Sequence, residues 1–525
     1  MRLIISYAAV LGAVASASMV DSYLDKPLVE SLTLQSRVRL GNLINHAKAL
    51  EAIAYNTTGR NRVIGSPGHE ATVKYIYDQL THASLGDYYK VTLQPFFHVF
   101  VVNATGSLFV NGKNTSIDLA DYSPSGKVNG TLALAQNLGC TEADYPQLIT
   151  GKIALISRGT CTFALKSAIA GKMGAVGAIV FNNAPNATGT VDLYANSSQI
   201  YGTVVPTVTI SGEDGASFAN AIKAGNAPRA SLQTYTVLNN VTTNNVLAHS
   251  KHGDQNNILQ LGAHSDSVEE GPGINDNGSG VSSLIEVAKL LSSYRIHNSV
   301  RFSWWSGEEP GQLGAEYFVT TLTEAEKKKI RLYLNFDMMA SPNYQFEIFD
   351  GDGSSYNITG PPGSGAAEKL FENYFDDRHL NHTPAVFDGR SDYKPFQEAG
   401  IAIGGLFAGA DENKTREGVE KFGGIEGQPL DPNLHSPADI VSNLNTTAFL
   451  INTQGIAHAV ATYATSFRSL GTNDTRLETK LETKLEKRKR ERKVRRAPEK
   501  RKIGSMGLRR KLLPTKIKRS SRVFI

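Results

Sequence analysis

Five short segments place histidine and carboxylate side chains where strand ends or glycine-rich turns could bring them together. In ILQLGAHSDS an apolar run ends in His264 and Asp266, two residues apart and therefore on one face of extended backbone. A carboxylate beside a metal-binding imidazole fixes its tautomer and raises its basicity. In GPGINDNGSG, Asp276 sits among glycines that permit a tight bend, so its carboxylate can turn inward. Two metal ions about 3.5–4 Å apart need such a bridging group. In VRFSWWSGEEPG, Glu308 and Glu309 follow a β-rich run ending in Trp304 and Trp305. Adjacent side chains on extended backbone diverge, so one glutamate can hold metal while the other faces a water. Burial raises a glutamate pKa toward what a general base needs. RLYLNFDMMASP ends a further strand at Asp337, and LDPNLHSPADI offers His435 before the last helix. Two imidazoles and three carboxylates, without thiolate, suit zinc. An all-oxygen set would point to magnesium or calcium. Singly each piece has a bland explanation, since a Glu-Glu pair is usually solvated and a lone His usually structural. Together, with three of them at strand ends, they make a site.

The elements that must position these residues read as alternating strands and helices. Strands are expected over 257–263, 299–305 and 330–336, and helices over 280–294 and 312–322. This alternation predicts an α/β fold with a mostly parallel mixed sheet flanked by helices. Ligands in such sheets bind at the carboxyl ends of the strands, where His264, Glu308 and Asp337 fall. Ahead of them, apolar spacing of three and four predicts helices over 39–53 and 68–82, and a Val/Phe/Tyr-rich strand spans 89–102. Residues 119–235 differ in texture, with short strands, many glycines and a helix of small residues in GKIALISRGTCTFALKSAIAGKMGAVGAIVFNN. The expected organisation is 1–17 signal peptide, 18–118 first part of the main domain, 119–235 an inserted domain, 236–466 the main domain, and 467–525 a tail.

The 525 residues are 41% hydrophobic and 20% charged, which excludes a wholly disordered, collagenous or disulfide-dense chain. Two cysteines rule out a Cys-rich zinc module. The net charge of +5 misleads, because residues 476–525 alone hold 21 Lys and Arg against 5 Asp and Glu. The body before them is acidic, which argues against nucleic-acid binding by the folded part. The tail, highly charged and poor in aromatics, reads as a disordered, dispensable extension. Met1-Arg2, an apolar run from Leu3 to Val14 and Ala15-Ser16-Ala17 form a secretory signal peptide, too short to span a membrane. Asn-x-Ser/Thr sequons from Asn56 to Asn473 agree with secretion. Asn277, beside Asp276, is the sequon least suited to a glycan. In an oxidising compartment Cys140 and Cys161 could bridge each other or remain buried thiols.

The motifs GAHSDS, GPGINDNGSG, SGEE with GAEYF, LNFDMMASP, DGDGSSYNITG and GRSDYKPF, with the late His435, resemble those of fungal secreted leucine aminopeptidases. These are di-zinc exopeptidases related to aminopeptidase Y and to bacterial extracellular aminopeptidases. The similarity covers roughly residues 30–465. Segment 119–235 is similar to a β-rich protease-associated domain, in which a disulfide often falls where Cys140 and Cys161 lie. The resemblance implies the zinc exopeptidase fold and two Zn²⁺ per chain. His264 and Asp337 would hold one ion, Glu309 and His435 the other, with Asp276 between them. It implies Glu308 as general base that takes a proton from a zinc-bound water to give the attacking hydroxide, Asp266 as the residue orienting His264, and Asp337 near the substrate's amino end. Two departures stand out. Leu434 replaces the Tyr that often precedes the last histidine and polarises the oxyanion, leaving Tyr393 as possible oxyanion support. Pro310 follows Glu309 and restricts it to extended conformations.

The expected activity is removal of one N-terminal residue at a time from peptides with a free amine, with Leu or other apolar residues preferred. The expected protein is a secreted or vacuolar glycoprotein and a monomer, binding neither nucleic acid nor membrane. A non-catalytic relative would show eroded ligands, and all five ligands and Glu308 are present. A carboxypeptidase of the same superfamily would want a basic pocket, which the acidic body does not favour.

Overall fold

A computed structural model describes residues 23–189, 191–193 and 204–471. The expected signal peptide, the basic tail after residue 471 and the sequons at Asn196 and Asn473 lie outside these residues.

The expected first helix forms as α1 (Leu40–Tyr55), which buries Leu43, Ala47, Leu50 and Ala54 along one face. The next, α2 (Pro67–Thr81), starts with Pro67 in its first turn and with the Ser66 hydroxyl accepting from the His69 amide. The strand expected over 89–102 runs on as β1 (Tyr89–Val110). The sequence reading stopped where the apolar pattern fails at Asn103–Gly106. The partner strand β2 (Arg229–Ser250) supplies backbone pairing regardless of side chain, so the two stay in antiparallel register from Tyr89↔Ser250 to Val110↔Ala230. One irregularity interrupts them, between Val101 and Asn103.

The core strands follow the expected alternation. They are β3 (Asp254–His264), β4 (Asn298–Trp305) and β5 (Ile330–Phe336), with helix α3 (Gly278–Leu291) between the first two and α4 (Leu313–Thr321) between the last two. Strands β6 (Glu347–Phe349), β7 (Thr383–Ala385) and β8 (Ile403–Phe407) complete one side, giving the order β7-β6-β8-β5-β3-β4-β2-β1. β4, β3, β5 and β8 are parallel, β2 runs antiparallel to β4, and β6 runs antiparallel to β8 but parallel to β7. The sheet is therefore mixed and mostly parallel at its centre.

Both faces of that centre are covered, so its strands read as nearly continuous apolar runs. Successive residues alternate between two cores. Phe302, Trp304, Leu332 and Leu334 pack with Val281, Leu284, Phe449 and Ile456 on one face, where α3 and α5 (Thr446–Thr465) lie. Trp305 and Tyr333 pack with Phe318, Phe396 and Ile403 on the other.

The ribbon of β1 and β2 carries the inserted segment. Strand Gly126–Leu134 adds to β2 at Arg229–Thr234 and leads into parallel strands Ile153–Ser157, Gly177–Phe181 and Thr207–Ile210. The small-residue helix Phe163–Lys172 packs near them, and Cys140 and Cys161 are disulfide-bonded with Cα atoms 5.8 Å apart. No helix among the described residues is long and apolar enough to cross a membrane.

Candidate active site

Four of the expected residues stand at or just past the ends of three adjacent parallel strands. His264 closes β3, Glu308 and Glu309 follow β4, and Asp337 follows β5. Asp276 lies in the turn before α3, whose N-terminus is capped by the Asn277 side chain accepting from the Gly280 amide. Asn277 is fully buried and its side chain donates to the Phe336 carbonyl, so no glycan fits there. His435, half-exposed, sits on a loop with φ +52°. Met338 and Gln312, each one to three residues from a site carboxylate, also have positive φ. Such left-handed non-glycine residues persist where surrounding contacts over-determine them.

The side chains converge. His264 Nε2 lies 3.2 Å from Asp276 Oδ1 and 3.2 Å from Asp337 Oδ1. His435 Nε2 lies 3.1 Å from Asp276 Oδ2 and 3.1 Å from Glu309 Oε2. The donor atoms of His264, Asp276 and Asp337 fall within 4.8 Å of one another, as do those of Asp276, Glu309 and His435. Asp276 belongs to both triads and turns one oxygen to each.

Among the described residues no lysine or arginine forms a salt bridge with this crowd of buried carboxylates; Arg62 acts on them only from a distance. Burial pushes Glu309 up to about 7, with Asp276 adding to the rise, and pushes Glu308 well above the usual carboxylate range. Burial works the same way on Asp276, but contacts with His264 and His435 outweigh it and hold that group low. Hydrogen bonds to Asp276 and Glu309 raise His435 to about 10. Glu309 Oε1 is buried without a hydrogen-bond partner. Two imidazoles, three carboxylates, an orphaned oxygen and a deficit of positive charge fit divalent cations with nitrogen and oxygen preference.

Asp266 does something sequence reasoning did not assign. Its Oδ1 is 3.7 Å from His264 Nδ1, an ion-pair distance longer than a hydrogen bond. Its stronger contacts are to backbone: Oδ1 accepts from the Gly307 amide at 2.8 Å and the Glu308 amide at 3.2 Å. Asp266 thus anchors the turn that presents both glutamates. Glu308 Oε1 accepts from Gln312 Nε2 at 3.0 Å, which aims the carboxylate. Glu308, Glu309, Asp276, Asp337, His435, Leu434 and Tyr393 all line one cavity of about 670 Å³. The Tyr393 hydroxyl donates to Asp388 Oδ1 and accepts from the Gly389 amide, so offering its proton elsewhere would break the Asp388 bond.

Other positioning groups escaped the sequence reading altogether. Trp305 Nε1 donates to the Tyr333 hydroxyl, which donates to Asn335 Oδ1. Asn335 Nδ2 donates to Ser391 Oγ, and Ser391 donates to Asp337 Oδ2 at 2.6 Å. This buried chain leaves Asp337 Oδ1 for His264. Asp439 accepts from the amides of Asn275 and Asp276, and Asn275 in turn bonds Ser341, Asp431 and the Ala340 amide. Arg62 is fully buried and donates to the carbonyls of Ser265, Pro272 and Gly273. It thereby ties the His264 loop to the Asp276 loop. The only signal for it was an arginine in the glycine-containing run GRNRVIGSPGH.

Known proteins share this arrangement of segments. Residues 245–460 match the sequence model for peptidase family M28, and residues 128–218 match that for the PA domain. Leucine aminopeptidase 2 of Arthroderma otae is 44% identical over 449 residues, covering 85% of this chain and 88% of its own. A protein of Aspergillus fumigatus described as a probable leucine aminopeptidase 2 is 46% identical, covering 85% and 87%. Among solved structures, the aminopeptidase from Aneurinibacillus sp. strain AM-1 superposes with a TM-score of 0.56 at 25% identity, over 83% of this chain and 95% of that one. Identity at this level across most of both chains fixes the lineage: the protein belongs to peptidase family M28, with a PA domain inserted into its peptidase fold.

Proposed function

We propose that this protein is a secreted di-zinc aminopeptidase that releases N-terminal residues, Leu and other apolar ones among them, with Glu308 as its general base. The observation that carries the reading is the pair of triads sharing Asp276, with Glu308 beside them in the same cavity. His264 and Asp337 would hold one ion, Glu309 and His435 the other, and Asp276 both. Bound zinc supplies Lewis acidity, polarising the scissile carbonyl and lowering the pKa of an attacking water.

The remaining work belongs to the chain. Glu308, aimed by Gln312, takes a proton from the water and passes it to the leaving amine. Its burial raises its proton affinity in the direction a base and later acid requires. Asp266 holds the Gly307–Glu309 turn so that the glutamates keep their separate tasks. Asp337, oriented by Ser391, would lie near the substrate's amino group. Leu434 brings no hydroxyl to the oxyanion, and Tyr393 could help only by releasing Asp388.

Two assays test this. Chelator-stripped protein titrated with Zn²⁺ is expected to regain hydrolysis of leucyl-arylamide and to saturate at two ions per chain. Free peptides are expected to lose their first residue while N-acetylated peptides stay intact. Trimming of the blocked peptide from its far end would show a carboxypeptidase instead. Secretion is checked separately by the N-terminus of protein recovered from culture medium, expected just after Ala17.

A further inference from the structure

The cavity extends well past the metal-binding carboxylates, and its far wall carries charge. Strand register shows how that wall is built. Phe336 of β5 and Ile348 of β6 both pair with Leu406 of β8. One residue along, Asp337 follows Phe336, and Phe407 follows Leu406. Phe407 pairs with Glu347, which pairs with Thr383 of β7. Directly opposed residues of neighbouring strands share a face. Asp337, Phe407, Glu347 and Thr383 therefore form one lateral row, and all four line the cavity. At about 4.8 Å between strands, Glu347 stands roughly 10 Å from Asp337, backbone to backbone, with Phe407 between them.

Among the described residues Glu347 forms no salt bridge. It is buried, and its Oε1 accepts from Gln345 Nε2 at 3.1 Å. Glu412 adds a second carboxylate to the same cavity. Arg390, which also lines it, is held by Asp388 and Asp411. Lys414, buried, donates its Nζ protons to the carbonyls of Tyr344 and Gly423. Burial pushes the Glu347 carboxyl up strongly, Glu412 adds to the rise, and Lys414 offsets only part of it. A buried carboxylate beside Phe349, Phe407 and Ala385 takes up a proton unless a cation comes to pair with it.

We propose that Glu347 is a specificity-determining residue, which admits to this pocket first residues with a long apolar stem tipped by a cation, the lysine and arginine class, beside apolar ones. The proposal rests on the aminopeptidase reading, since it takes the free amine to sit near Asp337. From there a lysine side chain, roughly 6 Å from Cα to Nζ by standard bond lengths, can lay its methylenes against Phe407 and bring its head to Glu347. The bond so formed is charge-assisted and shielded from water.

The test compares lysyl-, norleucyl- and leucyl-arylamides on the zinc-loaded full chain; norleucine has the stem without the charge. Wild-type kcat/KM for the lysyl substrate is expected within tenfold of the norleucyl value or above it. In Glu347→Gln, and in Glu347→Leu, the lysyl-to-norleucyl ratio is expected to drop at least fivefold, chiefly through KM. A wild-type ratio below one tenth overturns the proposal, and so does a smaller drop in a variant with wild-type circular dichroism. Should neither variant fold, the wild-type ratio decides. Failure of all three substrates would sink the aminopeptidase reading itself, whereas leucyl turnover with the lysyl substrate rejected sinks only this inference.

Discussion

Asp276 turns one oxygen toward each histidine, so it cannot be replaced by a residue that serves only one side. Asp276→Ala is expected to lose most of both zinc ions, read by metal analysis after gel filtration. Glu308 is different, because it contacts Gln312 rather than either imidazole. Glu308→Gln is expected to keep its zinc while kcat falls by about 10²–10⁴-fold, the usual weight of a positioned general base. Full activity in that variant would remove Glu308 from the mechanism. These residues were legible because each sits in a short run whose spacing already implies a face or a turn. Arg62 and Asp439 were not, because they act on backbone carbonyls and amides contributed by distant segments. A side chain that bonds main chain leaves no trace in the residue types it touches.

At the scale of elements, the parallel centre of the sheet was readable because burial on both faces makes its strands short apolar runs between helical periods. The length of β1 was not, since its second half is held by pairing with β2 and not by its own apolar pattern. The site depends on how firmly the loops after these strands are tied. Arg62 satisfies three carbonyls across two of them, and removing it leaves buried acceptors unpaired, each costing about 1–3 kcal/mol. Arg62→Met is expected to lower stability by several kcal/mol in denaturant titration and to weaken zinc retention against a chelator. Unchanged values for both would show that the loops hold without it.

For the whole molecule, three histidines away from the cavity, His46 buried and the other two half-buried, set an acid limit. Burial first, and then Lys289, Arg301 and Arg378 respectively, lower His46 to about 4, His249 to about 3 and His458 to about 4. Each is neutral when folded and free to protonate when unfolded. Below about pH 6.5 the unfolded chain binds the extra protons, so the stability these three contribute is complete above that pH and drains as pH falls toward 4. Urea midpoints are expected to drop between pH 7 and pH 5, with each histidine contributing a slope of up to about 1.4 kcal/mol per pH unit. His458→Gln is expected to flatten that slope by about one proton's worth. Truncation after Leu470 is expected to leave melting temperature and kcat as they were, because the acidic body and the site precede it.

The ribbon of β1 and β2 also works as a ruler. Its two strands leave the peptidase core together, and the inserted domain begins by hydrogen bonding to one of them. Adding two residues to each strand would carry that domain about 7 Å farther out and turn it by the local twist, keeping the same side toward the core. Adding one to each would present its opposite side. Evolution or an engineer can thus slide or invert the passenger domain in discrete steps while leaving the catalytic loops alone.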